Sequence, residues 1–528
     1  MNVREAARYR PPAITGLADI LDQHVCERPD ARALVFGTDR TELSYGALAA
    51  TADEMAARVG STGLRRGDAV GLVCANTAEF VIALLGAARA GLVVAPLDPS
   101  LPQSQMSTRL ERLGAQAILA GPSAADAERI SGFEIPTIQL QVAVSGRGIA
   151  TVKVETVGSA TRDVCGGARS ELTDDDALVM FSSGTTGAPK MIPLTNANVA
   201  ASVAGICEAY ELGPGDATVA VMPLFHGHGL FAVLLASMAS GGCVLLPERG
   251  RFSARTFWDD ARTVGATWFT AVPTIHQILL ERSEHEYPGP QVVPLRFVRS
   301  CSAPLTTAAA HALAHTLGAP VLSAYGMTET THQATSQPLP HRGTFKDGSV
   351  GRTTGADLRI VDHKGELCPA GAIGEVWVHG PTVTRGYLAN PAATADSFAD
   401  SWFRTGDLGS LDEDGDLFLA GRIKNIINRG GEKISPEHVE AVLAGCGGVT
   451  EAAVYPVPDP LYGERVGAAV VVSRPDLVGS EEILQQCRGL LAPFEMPERL
   501  EIVASLPHTA KGALDRRAIR DRVLADSQ

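Results

Sequence analysis

Residues 182–190 read SSGTTGAPK, a run whose residue types suit a bound anion. Gly184 and Gly187 let backbone N–H groups come close to a phosphate. The hydroxyls of Ser182, Ser183, Thr185 and Thr186 add donors, and Lys190 supplies a point charge. The spacing differs from GxxxxGKS/T, because two residues separate the glycines and Lys190 follows a proline. The stretch therefore reads as a nucleotide loop of another kind, with a flexible Gly/Ser/Thr linker as the competing reading. Further groups able to do chemistry follow: His226 and His228 in PLFHGHGL, Thr328 and Glu329 in SAYGMTET, His332 just beyond, and Asp407 in WFRTGDLG. On its own Glu329 reads as a helix N-terminal carboxylate and Asp407 as a turn acid.

The elements that must position these groups follow a βαβ rhythm. The loop leaves an apolar run at 178–181, which reads as a buried strand, and enters a helical pattern near Thr195. Before it, helices are expected at 47–59 and 79–90 and strands at 69–75 and 91–96; after it, helices at 197–210, 230–240, 253–263 and 274–282 alternate with strands at 217–222, 243–247 and 268–272. Strands at 297–302 and 321–325 feed SCSAPL and GMTET, at the C-terminal ends where ligands collect in parallel sheets. Residues 120–170 are polar and rich in Ala, Ser and Gly, with no evident role. From 348 to 419 short alternating strands suggest a small antiparallel barrel or sheet. A run dense in charge and glycine, GRIKNIINRGGEKI, precedes a compact α+β pattern, with a boundary near Arg422. The expected fold is α/β: a large N-terminal domain, 1–421, of parallel α/β subdomains plus a small β-barrel-like subdomain, and a small mobile α+β C-terminal domain, 422–528.

Composition narrows the function. The 528 residues are 45% hydrophobic and 20% charged, enough for several cores. Lys and Arg number 45 against 59 Asp and Glu, a net charge of −14 with no long basic run, which argues against nucleic acid and anionic membranes as partners. An anionic substrate must be met by local groups. Nine cysteines stand singly, without CxxC pairs or zinc spacing, as in a reduced protein. Residues 229–246 are uncharged, but Gly241, Gly242 and Pro247 make them a buried helix and strand rather than a membrane insertion. The N-terminus lacks an apolar signal core and the chain ends in ADSQ, so a cytoplasmic location is expected. No oligomeric state is written in the pattern.

Five stretches taken together resemble the adenylate-forming superfamily, which includes acyl-CoA synthetases, firefly luciferase and peptide-synthetase adenylation domains. They are SSGTTGAPK (182–190), PLFHGHGL (223–230), SAYGMTET (323–330), WFRTGDLG (402–409) and GRIKNIINRGGEKISPEHVE (421–440). The resemblance spans nearly the whole chain and implies that a carboxylic acid is activated with ATP and Mg²⁺, then passed to coenzyme A. It assigns the opening loop to the β- and γ-phosphates, Thr328 to phosphate and Glu329 to Mg²⁺. Ser302, Ala303 and Pro304 would border adenine, with Tyr325 and Gly326 beside it. Asp407 would accept from the ribose hydroxyls, assisted by Arg422. Lys424 resembles a hinge, Gly430 and Gly431 would line a pantetheine channel, and His226 belongs to a gate between the two steps.

One position departs from the family pattern. The C-terminal loop that normally carries a lysine to the carboxylate and α-phosphate reads PHTAKGALDRR at 507–517, which puts Ala513 at the lysine position and leaves Lys511 two residues earlier. Three explanations compete: Lys511 takes over, the alanine was engineered, or adenylation is natively weak. Among branches, oxalate–CoA ligases match best, through HGHGL, SCSAPL, YGMTETTH and INRGGEKISPEHVE. His228, His332 and Ser302 would then hold a small dianion. Gly326, Thr331, Gln333, Ala334 and Thr335 depart from that branch. A short- or medium-chain fatty acid in an apolar tunnel through Gly227 and Gly326, or a carrier protein in place of CoA, are the alternatives.

Overall fold

Strands whose residues are apolar on both faces build the centre of the molecule. Ala69–Val73 is buried at every position and pairs in parallel with Val93–Leu97 and Ala117–Ala120, so helices must cover both its sides. The computed structural model of the chain describes residues 11–122, 133, 135–144, 150–157, 171–182, 189–474, 478–508 and 514–525. The expectations placed on Ser183, Gly184, Thr185, Thr186, Gly187, Lys511 and Ala513 lie outside the described residues.

Seven strands form the first sheet, in the order Ala150–Val157, Thr137–Val144, Ala117–Ala120, Ala69–Val73, Val93–Leu97, Asp176–Phe181 and Met191–Thr195. The stretch without an evident role in the sequence supplies the antiparallel pair at one edge. A second sheet joins Ala217–Val219, Cys243–Leu245, Arg32–Phe36 and Thr41–Ser44, and a third runs from Trp268–Ala271 through Phe297–Ser300 and Val321–Tyr325 to Thr335–Ser336 and Arg352–Thr353. The N–H of Thr267 reaches the carbonyl of Ala217 at 2.9 Å, which carries the second sheet into the third. Between the layers lie Tyr45–Gly60, Asn196–Tyr210 and Ala78–Arg89, the last buried over most of its length because helix AEFVIALLGAAR is apolar nearly all round.

The helix expected at 230–240 is instead a π-helical segment, His228–Leu235, continued by one α-turn, Ala236–Ala239. A Cβ on Gly229 would stand 2.2 Å from the carbonyl oxygen of Pro223, so this start is wedged against the preceding loop. π-helical turns concentrate at functional sites. No helix among the described residues is long and apolar enough to cross a membrane.

Residues Asp357–Val361, Gly374–His379, Phe398–Ala399, Trp402–Leu411 and Leu417–Arg422 make a five-stranded antiparallel sheet. The chain leaves it at Arg422 through a short turn, Ile423–Asn425, and enters a last five-stranded sheet with helices Pro436–Ala444, Ser480–Cys487 and Arg516–Ala525. That last unit has a core of its own around Ile427, Val439, Leu443, Val454, Val470 and Ile483. The whole is an α/β architecture with parallel sheets, an antiparallel annex and a small α+β C-terminal part.

One buried side chain ties the first sheet to the loop that carries His226 and His228. Asn76 donates to the carbonyls of Ala220 (2.9 Å) and Met222 (2.8 Å) and accepts from the N–H of Leu224 (2.8 Å). Asn76→Ala strands three buried backbone groups, each worth about 1 kcal/mol or more. The expected cost is roughly 2–4 kcal/mol, read as a lower denaturant midpoint at unchanged slope. An unchanged midpoint would refute the tether.

Candidate active site

The described ends of the opening loop are held together. The N–H of Ser182 donates to the carbonyl of Lys190, and the N–H of Lys190 to the hydroxyl of Ser182, both at 3.0 Å. Arg112 donates to the carbonyl of Pro189 at 2.7 Å. The Lys190 ammonium lies 4.2 Å from the ring centre of Tyr387, and the Tyr387 hydroxyl donates to Glu329 at 3.0 Å. Lys190 and Glu329 thus share one corner through a tyrosine that sequence reasoning missed. Burial, then the Glu329 carboxylate, push the Tyr387 phenol above its ordinary range, so it stays a donor. Thr328 and Glu329 lie in a single 3₁₀ turn, Thr328–Thr330, after the strand Val321–Tyr325, and the Glu329 carbonyl accepts from the N–H of Thr384 at 2.8 Å.

Asp407 is buried at 4% exposure, with both oxygens engaged. Tyr325 donates its hydroxyl at 2.6 Å and Arg422 its Nε at 2.5 Å. Burial, then Asp407, raise the Tyr325 phenol well above its usual value. Tyr325 is therefore fixed edge-on to Asp407. Lys424 lies among the charges of Arg422, Asp407, Lys190 and Glu329, and burial followed by Arg422 draws its ammonium below the ordinary value. Gly430 and Gly431 sit elsewhere, at the turn between Ile427–Arg429 and Glu432–Ile434, with φ of 61° and 99°. A two-residue hairpin turn of that hand favours glycine at both positions, which is reason enough for the pair.

The third group is built around a fully buried arginine, Arg299, on the strand Phe297–Ser300. Its Nε donates to the Tyr210 hydroxyl at 2.8 Å. Nη1 donates to Nε2 of His228 and to Oγ1 of Thr270, both at 3.1 Å. Nη2 donates to Nε2 of His332 at 3.0 Å and to Oε1 of Gln333 at 2.8 Å. Nδ1 of His228 lies 3.0 Å from the hydroxyl of Ser302, and the two imidazoles stack at 5.2 Å. Ser302 is exposed, so its hydroxyl stands between the buried His228 and solvent. Ala303 and Pro304 continue from it along the rim. His226 is half-buried at the foot of the π-helical turn, its ring 4.7 Å from Phe225. Ser302, Thr331 and His332 take φ of 73°, 49° and 82°, left-handed values that side chains avoid. A Cβ on Gly326 would stand 1.9 Å from the His332 carbonyl oxygen, and one on Gly227 would touch His332 at 3.4 Å and Phe231 at 3.7 Å. A side chain at Gly326 would therefore clash with backbone, whereas one at Gly227 would meet only ordinary contacts.

Arg299, Thr270 and Tyr210 escaped the sequence reading. The signal was present: a charge inside PLRFVRS, in a strand of a parallel sheet, must be compensated by a polar network once both faces are covered.

Residues 21–388 match the family model of AMP-binding enzyme, and residues 438–513 that of the AMP-binding enzyme C-terminal domain. The chain belongs to the AMP-binding enzyme family. It is 41% identical over 514 residues to an oxalate–CoA ligase of Arabidopsis thaliana, covering 96% of this chain and 98% of that one. It is 32% identical over 515 residues to a sulfoacetate–CoA ligase of Cupriavidus necator, covering 97% and 98%. ATP-bound MatB from Rhodopseudomonas palustris superposes with a TM-score of 0.82 at 28% identity, over 98% of this chain and all of that one; its apo form gives 0.75. The chain is accordingly an AMP-forming acid–CoA ligase.

Burial, then the neighbouring guanidinium, hold His228 and His332 well below the usual imidazole value, and burial lowers His276 to about 4. The unfolded chain takes up these protons near pH 6.5, while the folded chain resists them. Stability present above about pH 6.5 is therefore lost as the pH falls, His276 alone accounting for roughly 3 kcal/mol by about pH 4. Thermal melts should show Tm descending through that window, whereas a flat profile would mean that the rings are not buried as neutral bases.

Proposed function

We propose that the chain activates a small acid bearing a second anionic group, best matched by oxalate, and transfers it to coenzyme A. The observation that carries this reading is the third cluster: His228, His332 and Ser302 around Arg299, polar where an acyl chain would need apolar walls. The Arabidopsis oxalate–CoA ligase and the Cupriavidus sulfoacetate–CoA ligase, both named for acids with two anionic groups, support it.

In the first half-reaction a carboxylate oxygen attacks the α-phosphorus of ATP, the bond to the bridging oxygen breaks, and pyrophosphate leaves. Ser182, Lys190 and the residues between them would grip the β- and γ-phosphates, with Thr328 on a phosphate oxygen. Glu329, a hard oxygen ligand backed by Tyr387, fits Mg²⁺, which would offset phosphate charge. Asp407 would take the ribose hydroxyls while Arg422 and Tyr325 hold it in place. Ser302, Ala303 and Pro304 would border the adenine. In the second half-reaction the CoA thiolate attacks the acyl carbon and AMP departs. Residues 422–528 would turn about Lys424 between the steps, with His226 as the gate and Gly430 and Gly431 brought to the pantetheine. A carrier protein as acceptor has less support, since the relatives reported above are CoA ligases.

Pyrophosphate release measured across oxalate, malonate, sulfoacetate, short fatty acids and aromatic acids should be fastest with the small doubly anionic acids. Saturation by a long-chain acid in preference to oxalate would sink the proposal.

Ala513 offers the α-phosphate neither charge nor hydrogen bond, and a missing transition-state cation costs about 10²- to 10³-fold in rate. Adenylation should therefore be slow unless Lys511 substitutes, while thioester formation from preformed acyl-AMP survives. Ala513→Lys should raise the first half-reaction and leave the second alone. If Lys511→Ala leaves adenylation unchanged, rescue by Lys511 is excluded.

A further inference from the structure

The five N–H donors of Arg299 meet five acceptors, and every one of them is uncharged: Tyr210, His228, Thr270, His332 and Gln333. Among the described residues no carboxylate pairs with this guanidinium, although it is fully buried. Its hydrogen bonds are satisfied and its charge is not. The geometry also fixes protons. A guanidinium nitrogen has no lone pair, so Nε2 of His332 accepts from it, and so does Nε2 of His228, toward which the Thr270 hydroxyl, 2.6 Å away and itself accepting from Arg299, turns its own proton. Each neutral ring then carries its proton on Nδ1. Nδ1 of His228 donates to Ser302 at 3.0 Å, which frees the Ser302 hydroxyl to donate onward into the cleft. Nδ1 of His332 lies on the side of Gly227, where a Cβ would come within 3.8 Å of it and the glycine supplies none.

We infer that Arg299 is a positioning and specificity-determining residue: it locks both histidines as Nδ1–H donors and lends its uncompensated charge to the pocket, so that the acid bound there must carry a second anionic group. This rests on the proposed small-acid site. It goes beyond it by naming the residue that sets the selectivity without touching the substrate. The selective element is thus a permanent cation one layer behind the contact surface, and the histidines transmit it as neutral donors rather than as imidazolium ions. Arg suits that place better than Lys, since only a planar fork can serve both rings at once.

Histidine ¹⁵N spectra of the full chain test the tautomers without any substrate: wild type should show two rings protonated at Nδ1, and Arg299→Gln should release them to the commoner Nε2–H form. Wild-type rings protonated at Nε2 would overturn the inference. Steady-state rates with oxalate and with acetate test the charge. Arg299→Gln should lower the ratio of kcat/KM for oxalate to that for acetate by about 10- to 100-fold, as for a lost charge-assisted interaction, with ATP affinity unchanged. Arg299→Lys, which keeps the charge and loses the fork, should retain more of that ratio than Arg299→Gln while losing the Nδ1–H pattern. An equal fall for both acids, or lysine no better than glutamine, would make Arg299 merely structural. A wild type indifferent to the second anionic group would defeat the small-acid reading, and the spectra would still decide the tautomers.

Discussion

A guanidinium taken out of water is the constraint on which the proposed acid site is built. Burying an unpaired charge costs several kcal/mol even after relaxation, and here no opposite charge among the described residues offsets it. The compensation is a complete set of hydrogen bonds, drawn from four places in the chain. Tyr210 ends one helix, His228 opens the π-helical segment, Thr270 lies on the neighbouring strand, and His332 and Gln333 follow the 3₁₀ turn after Val321–Tyr325. Each must be in register for the others to be satisfied. The same bonds that make the charge tolerable therefore fix the walls of the pocket.

The residues proposed for the nucleotide hang on the same pair of strands. Phe297–Ser300 and Val321–Tyr325 pair in parallel, so Ser302 and Tyr325 emerge at adjacent C-terminal ends. Tyr325 is pinned to Asp407 on the antiparallel sheet, and Asp407 to Arg422, where the chain leaves for the C-terminal part. Tyr325, Asp407 and Arg422 thus form one hydrogen-bonded line that ends at the exit strand. A shift at Arg422 would be felt first at Asp407 and next at Tyr325.

Much of this could be read from residue order. Alternating apolar runs and helical periods marked most of the parallel strands, because both-face burial demands unbroken Val, Ile, Leu and Ala. The edge pair Thr137–Val144 and Ala150–Val157 was hidden, since an edge strand tolerates polar residues on its open side. The π-helical start at His228 was hidden for another reason: periodicity reports which residues are apolar, not the packing that sets Gly229 against the Pro223 carbonyl. Histidines and carboxylates were picked out by type and motif. Tyr387 and Thr270 were not, because their importance lies in partners distant in sequence, which no local pattern encodes; Arg299 showed only as a charge within a strand, its partners equally distant.

The left-handed residues explain how such a pocket can persist. Ser302, Thr331 and His332 each sit in a backbone region that costs about 1–2 kcal/mol for a residue with a side chain. Glycine at these positions would relieve the strain but would carry no hydroxyl or imidazole. The strain is held by bonds that only the bent chain can make: Ser202 donates to the Thr331 carbonyl at 2.5 Å, Thr331 donates to the Thr382 carbonyl at 2.6 Å, and His332 receives Arg299. Gly326 completes the arrangement by leaving room for the His332 carbonyl. Glycine thus stands where two backbones meet, and strained side-chain residues stand where chemistry is needed. The arrangement around Arg299 owes its shape to this division.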